Sequence, residues 1–500
     1  MNSKLGLQDL EDKLSEFIYE VDTESRLVRA GLKEKAETAK IYQKYKDLFG
    51  REVITDLKKE IEKTFNKRTK DILERIYFTL TSGLISFKTA NIDDAIKTYF
   101  SNAKVEINGG ELAYFQLSGK IAKETIFEKR EIYDDVSEKI VAKINSRQLA
   151  LLKNEINLIK TLGFSDYLDY FSKAKKINYA QFFKIVQKIK KDTDSLWALI
   201  MPKVSQEIFS RPFKNIRACH LLYLRSLTAF DNFYPKEKVV STFLQFAGDL
   251  GFADLLSRIK IDDKDRSRKN PRAVCYWPKP PDEIHLIIKP IGGEQDFEAM
   301  FHEGGHALHG AACDPKLPYT LRNLARSHAL TETFAFLLED LVFDPLWLSH
   351  FLNISAFTAE KIKKQAIFVN LMILRRYLGK YSFEYEMFFQ NAISKGPLLY
   401  SKNLQETTDF ITKRINWLSD MDSGFYSADY LRAWIASAQI KDYLLRRFGK
   451  RWFLNKKAGN FLRQLFARGV TDEVEDMVHR FGYKPFDIAF LVNNYKEVLG

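Results

Sequence analysis

The segment MFHEGGHALHG, Met300 to Gly310, holds three of the eight histidines in this 500-residue chain. On a helix, His302 and His306 lie one turn apart on the same face, so both imidazoles can reach one cation. Imidazole nitrogen is a ligand suited to Zn²⁺. Glu303, offset by about 100° around the helix, is placed to act as general base on a metal-activated water. This spacing predicts a helical, hydrolytic metal site.

Gly304 and Gly305 stand in the middle of the same predicted helix. Each glycine costs about 1 kcal/mol relative to alanine at such a position. We therefore expect another backbone, or a substrate, to approach the helix closely there.

A catalytic zinc site needs a third protein ligand and leaves its fourth position open. The segment RSHALTETFAFLLEDL, Arg326 to Leu341, is strongly helical and provides candidates. Glu332 is the predicted third ligand, and His328 is the alternative if the helix is rotated or shifted. Glu339 follows Glu332 by seven residues on the same face. It is either a carboxylate that orients a ligating histidine or a solvated helix side chain.

The composition favours a mainly helical protein with sizeable cores, since 45% of the residues are hydrophobic and only 13 are proline. The N-terminal segment has acidic residues where a signal peptide would carry its apolar run, and no apolar run is long enough to span a membrane. Three cysteines without a CxxC pair are typical of a reducing compartment. We expect a cytoplasmic protein.

The formal net charge is +13, but basic and acidic residues are interspersed, as on solvated helix faces. The densest basic run, Arg446 to Arg468, also contains aromatic residues. Contact with nucleic acid through that run is an alternative to simple solvation.

Apolar residues recur at helical spacing through much of the first 208 residues, as at Leu10, Leu14 and Phe17. The same spacing predicts that Ile54, Leu57, Ile61 and Phe65 share a helix face. The proline-rich segment 261–290 predicts a loop followed by one short strand, Ile284 to Ile288. We divide the chain into an N-terminal helical lobe, 1–200, and a catalytic lobe, 201–500, and leave open whether the lobes interleave.

FHEGGHALHG together with ETFAFLLE resembles the thimet oligopeptidase and oligoendopeptidase F family of zinc peptidases. The resemblance implies one Zn²⁺ per chain held by His302, His306 and Glu332. In that arrangement Glu303 is the general base, and Glu339 contacts a ligating histidine but not the metal. It also implies a mainly α fold, a two-lobed helical clamshell with a deep central cleft and a small β-element beside the zinc site.

Two further stretches resemble that family. RAVCYWPKPPDEIHLIIKP, which includes the predicted Ile284–Ile288 strand, is similar to its loop and active-site edge strand, which would bind an extended peptide by main-chain pairing. SGFYSADYLRAW is similar to its tyrosine-rich segment, which implies that Tyr426 or Tyr430 stabilises the oxyanion. The family's next tyrosine is Ala433 here, so the choice stays open. His309 matches a position that is commonly histidine, which implies contact with substrate or with a carboxylate.

The sequence thus predicts a zinc metalloendopeptidase, an oligopeptidase that hydrolyses short unstructured peptides. One alternative is a zinc carboxypeptidase of related helical fold. Another is a catalytically inactive, basic, helical nucleic-acid-binding protein. The expected partners are short peptides, with no nucleic acid and no membrane, and both a monomer and a dimer are compatible with the sequence.

Overall fold

The computed structural model describes residues 6–107, 109–226 and 228–500, and most of them are helical, which confirms the predicted mainly α fold. The first ten helices are α1 (Leu7–Arg29), α2 (Thr38–Lys44), α3 (Arg51–Lys63), α4 (Lys67–Asn102), α5 (Leu117–Lys123), α6 (Phe127–Thr161), α7 (Tyr167–Lys175), α8 (Tyr179–Phe209), α9 (His220–Arg225) and α10 (Val239–Leu250). The later helices are α11 (Glu294–Ala312), α12 (Tyr319–Asn323), α13 (Ala329–Glu339), α14 (Pro345–Leu352), α15 (Ala356–Phe389), α16 (Gly396–Thr408), α17 (Tyr426–Phe448), α18 (Lys456–Phe466), α19 (Val474–Arg480) and α20 (Ala489–Leu499).

The chain forms two compact units, and each unit is assembled from three segments. The first unit comprises Met1–Phe87, Thr228–Lys363 and Arg432–Phe490. The second comprises Lys88–Leu227, Lys364–Leu431 and Leu491–Gly500. The division into lobes 1–200 and 201–500 stays a prediction.

The first unit contains a three-stranded sheet in the order β3-β5-β4. In it β3 (Ile259–Asp262) runs parallel to β5 (Glu283–Ile287), and β4 (Val274–Lys279) is antiparallel to β5. The strand expected at Ile284–Ile288 is therefore confirmed as β5. Its expected place at the edge is wrong, because β5 has a neighbour on both sides and β4 is an outer strand.

The expectation of a loop before β5 is also wrong, because β4 forms inside that proline-rich segment. Pro278 lies where the pairing of β4 with β5 becomes irregular, between Tyr276 and Lys279. Proline lacks the N–H group that a strand with two neighbours must donate. An outer strand can therefore contain a proline at a position where the register is irregular. A second hairpin, β1 (Lys104–Ile107) with β2 (Gly110–Ala113), interrupts a region for which only helices were expected.

Apolar periodicity correctly located helix faces near the N-terminus. Leu10, Leu14 and Phe17 are buried on α1. On α3, Ile54 and Leu57 are buried, but Phe65 is 96% exposed and lies beyond the end of the helix. The backbone becomes extended at Thr64, so the helix ends before Phe65 and the predicted face does not include that residue. None of the helices in the described part of the chain combines the length and apolarity that a bilayer-crossing segment needs.

Candidate metal centre

The helix that carries the motif, α11, begins at a sharp backbone turn. Gly293 precedes it with φ of 102°, a conformation that favours glycine. The Asp296 carboxylate, in the first helical turn, accepts the N–H groups of Ile291 and Gly292 at 2.7 and 2.6 Å. These bonds fix the direction in which α11 leaves the sheet.

The paired glycines let other elements approach α11 closely. A Cβ atom on Gly305 would lie 2.7 Å from the Cα atom of Ala335 on α13, and one on Gly304 would collide with the ring of Phe243 on α10. The predicted approach of another backbone is confirmed at Gly305. Any larger residue there would force α11 and α13 apart, and with them the side chains that the two helices bring together.

Three side chains converge between α11 and α13. His302 Nε2 lies 3.4 Å from Glu332 Oε2, and His306 Nε2 lies 3.8 Å from the same oxygen. Within the described ranges, these residues form the group of candidate ligands, with one donor atom from each all within 4.8 Å of one another, and His328 is not part of it. Ligands of a tetrahedral zinc at about 2.0–2.1 Å lie about 3.3 Å apart, so the observed spacing fits such an ion.

Glu339 lies on the opposite edge of the His302 ring. Its Oε2 accepts from His302 Nδ1 at 2.7 Å, which leaves Nε2 facing Glu332 and His306. A carboxylate in this position fixes both the tautomer and the orientation of a ligating histidine.

The local electrostatics favour positive charge. Burial lowers the pKa of His302, but the facing carboxylates of Glu332 and Glu339 outweigh it and hold the pKa well above its ordinary value. Burial lowers the pKa of His306, which keeps that imidazole neutral, as ligation requires. His302 and His306 keep 18% and 15% of their side-chain surface exposed, so neither imidazole is completely enclosed.

Glu303 is half-buried on α11. Burial and then the charge of Glu303 raise the pKa of the Cys275 thiol on the outer strand β4. The same carboxylate acts on His306, where it works against the lowering by burial. Glu303 is therefore close enough to influence both a candidate ligand and the strand beside it.

His309, on the same helix, has the contacts of a packing residue. It is fully buried, its Nε2 donates to the carbonyl of Gly469 at 3.0 Å, and its ring packs nearly perpendicular to the rings of Trp277 and Phe334. Burial lowers its pKa to about 3, so it is neutral. A direct catalytic part for His309 stays a prediction.

Tyr426 and Tyr430 belong to the second unit, at the start of α17. Their rings contact each other edge to face at 4.8 Å between centroids, and Tyr430 also packs on Tyr377 at 5.3 Å. Both are half-buried. The two tyrosines therefore share one face of α17.

Two solved structures resemble this chain over most of its length. One is a protein of Bacillus anthracis strain Ames assigned as oligoendopeptidase F, with 14% identity, a TM-score of 0.64, and 92% of this chain and 84% of that chain covered. The other is PZ peptidase A with an inhibitor, with 12% identity, a TM-score of 0.66, and coverage of 90% and 83%. No protein-family model and no curated protein sequence matches. At these identities the likeness shows a shared helical fold.

Sequence reasoning missed the residues that surround β4. Asp22 on α1 is an example: burial raises its pKa to about 7, and its charge acts on Cys275 and Tyr276 of that strand. The only available signal was indirect. The run Ile284–Ile288 is apolar with little alternation, which is typical of an inner strand and implies an outer neighbour.

Proposed function

We propose that this protein is a zinc-dependent endopeptidase that hydrolyses short, unstructured peptides. The observation that carries the proposal is the convergence of His302, His306 and Glu332, with Glu339 bonded to the far side of His302. Two histidines and a carboxylate are a zinc-peptidase donor set that leaves one coordination position for water or substrate. The fold shared with oligoendopeptidase F and PZ peptidase A supports a peptidase of that kind.

Zinc, when bound, would polarise a peptide carbonyl and lower the pKa of a water to about 7. Glu303 is the group in this chain that can take the proton of that water, because it follows His302 directly on α11. It would then pass the proton to the nitrogen of the leaving peptide. One half-buried carboxylate can do both, since the first transfer protonates it and the second returns it to the ionised state in which it started.

The outer strand β4 is the proposed binding site for the substrate backbone. It pairs with β5 on one side, and in the described residues no strand pairs with its other side. A peptide that adds to such an edge is held by main-chain hydrogen bonds, which tolerate many side chains. Together with burial, the charge of Glu303 raises the pKa of Cys275 on this strand. The proposed base therefore lies near the strand that would bind the substrate.

The resemblance assigns oxyanion stabilisation to Tyr426 or Tyr430. A tyrosine hydroxyl can donate to an oxygen on which negative charge develops. Both residues occupy the first turns of α17, which restricts their hydroxyls to a small region.

The function is tested by mapping cuts in a defined peptide mixture by mass spectrometry, with the protein zinc-loaded or treated with chelator. We expect internal cuts that chelator abolishes and added zinc restores. A C-terminally amidated peptide should be cut as well as its free-acid twin, whereas a carboxypeptidase would lose activity on the amide. Cutting that survives complete zinc removal would contradict the proposal.

A further inference from the structure

The turn that leads into the two tyrosines is sharply bent. A short 3-10 helix, Ser423–Phe425, precedes α17, and Gly424 and Phe425 both have positive φ, 64° and 57°. Phe425 is not a glycine, so contacts from outside must hold it in this conformation. Those contacts come from Tyr167 on α7, Tyr179 on α8 and Phe388 on α15, whose rings pack on Phe425, all within the second unit.

Glu384 on α15 bridges the two ends of this turn. Its Oε1 accepts the backbone N–H of Asp422 at 2.8 Å, and its Oε2 bonds the hydroxyl of Ser427. Glu384 has no exposed surface. One buried carboxyl group thus joins the residue before the 3-10 helix to the residue directly after Tyr426.

Helix α7 holds the same turn from another direction, and it does so with both of its ends. Tyr167, its first residue, accepts the N–H of Gly424 at 2.8 Å. Lys175, its last residue, forms an ion pair of 2.7 Å with Asp429, and the two side chains are 9% and 0% exposed. Asp429 directly precedes Tyr430.

Buried polar contacts of this kind add little net stability to a fold. Burying a charged pair removes both groups from water, and apolar residues of similar size often stabilise a protein at least as well. Buried polar groups do supply positional uniqueness, because only one arrangement satisfies them. Here three such groups act on a turn of eight residues, Asp422 to Asp429.

We propose that Glu384 and Lys175 are positioning residues, which hold the Tyr426–Tyr430 turn in the one arrangement that serves peptide hydrolysis. The inference rests on the proposed peptidase function. Neither residue needs to touch the substrate: Glu384 acts through Ser427 and Asp422, and Lys175 acts through Asp429. A displacement of about 1 Å at a reacting group can reduce a rate about 100-fold, so loosening the turn affects turnover more than substrate binding.

The test uses the zinc-loaded protein with Glu384→Met and Lys175→Met, and with Lys175→Arg as the charge-keeping variant. Lys173→Met is the matched control, because Lys173 lies on the same helix with 57% of its side chain exposed. Glu360→Met is the control on α15, where Glu360 is exposed. Amide hydrogen exchange of residues 422–431 is compared with that of α11, and kcat and KM are measured separately.

We expect both main variants to exchange faster at 422–431 but not in α11. We expect kcat to fall about 10- to 100-fold with KM within about twofold, and Lys175→Arg to recover part of kcat. The controls should match wild type. Unchanged exchange, or unchanged kcat despite faster exchange, overturns the inference. Should Lys175→Met not fold, Glu384→Met decides, because it is similar in size to the glutamate and removes both hydrogen bonds. A wild type that cuts no peptide overturns the proposed function instead, and the exchange data still report whether these residues hold the turn.

Discussion

Nδ1 of His302 lies 2.7 Å from Glu339 Oε2, while Nε2 of the same ring lies 3.4 Å from Glu332 Oε2. The two carboxylates come from one helix, α13, and face opposite edges of one imidazole on α11. Glu332 is thereby placed as a ligand and Glu339 as the group that sets the ring's tautomer.

This relationship predicts unequal effects of two chemically identical substitutions. Glu339→Gln should weaken zinc binding about 10- to 100-fold, because the ring loses its charged partner but keeps its ligand geometry. Glu332→Gln should weaken it further, because a ligand is lost. Competition against a chromophoric chelator measures both affinities. Equal affinities for the two variants would contradict the assignment.

The close contact at Gly305 predicts a packing effect. Gly305→Ala should destabilise the protein by about 1–3 kcal/mol, since the added methyl meets the backbone of α13. Gly248→Ala is the matched control on α10, where nothing lies within 4 Å of the added carbon. It should be neutral or stabilising by up to about 1 kcal/mol. Thermal unfolding compares the two, and equal midpoints would show that α11 and α13 can separate freely.

The candidate ligands were predictable because helical spacing is local. His302 and His306 share a face by backbone geometry alone, and so do Glu332 and Glu339. The packing of α11 against α13 is a tertiary contact. The glycine pair nevertheless indicated it, because a glycine inside a helix is destabilising and is expected only where another element comes close.

The β-sheet was only partly predictable. The composition of Ile284–Ile288 indicated a strand, but strand order is set by long-range pairing that no local pattern encodes. Prolines in the preceding segment pointed to a loop, whereas Pro278 is tolerated in β4 because an outer strand has unpaired positions. The contact between Lys175 and Asp429 spans 254 residues and had no sequence signal.

The tyrosine pair predicts a separation of kcat from KM. Removing the hydroxyl that donates to the oxyanion should lower kcat about 100- to 1,000-fold with little change in KM. Tyr426→Phe and Tyr430→Phe, assayed side by side with zinc content checked, identify the donor. Wild-type kcat in both single variants and in the double variant would contradict a role for this pair.

Glu384 predicts a pH dependence of stability. Burial and the charge of Asp422 raise its pKa from 4.5 to about 8, against the opposing effects of Lys380 and of the bonds from Ser427 and Asp422. At pH values between 4.5 and about 8, Glu384 in the folded protein keeps a proton that the unfolded chain has released. The contribution of Glu384 to the free energy of unfolding therefore falls as pH rises from 4.5 to about 8.

Glu384→Gln removes this titration. Denaturant unfolding of wild type and variant across the same pH range should show wild-type stability declining relative to the variant as pH rises. Parallel curves would mean that Glu384 does not retain its proton in the folded protein.

The central claim is that Glu303 moves the proton in a zinc-dependent peptide cleavage. The most direct measurement is the kcat of Glu303→Gln on an internally quenched, C-terminally amidated peptide, with zinc content determined on the same sample. We predict a loss of at least about 100-fold in kcat while about one zinc per chain is retained. Cleavage at the wild-type rate by the zinc-loaded variant would contradict the account.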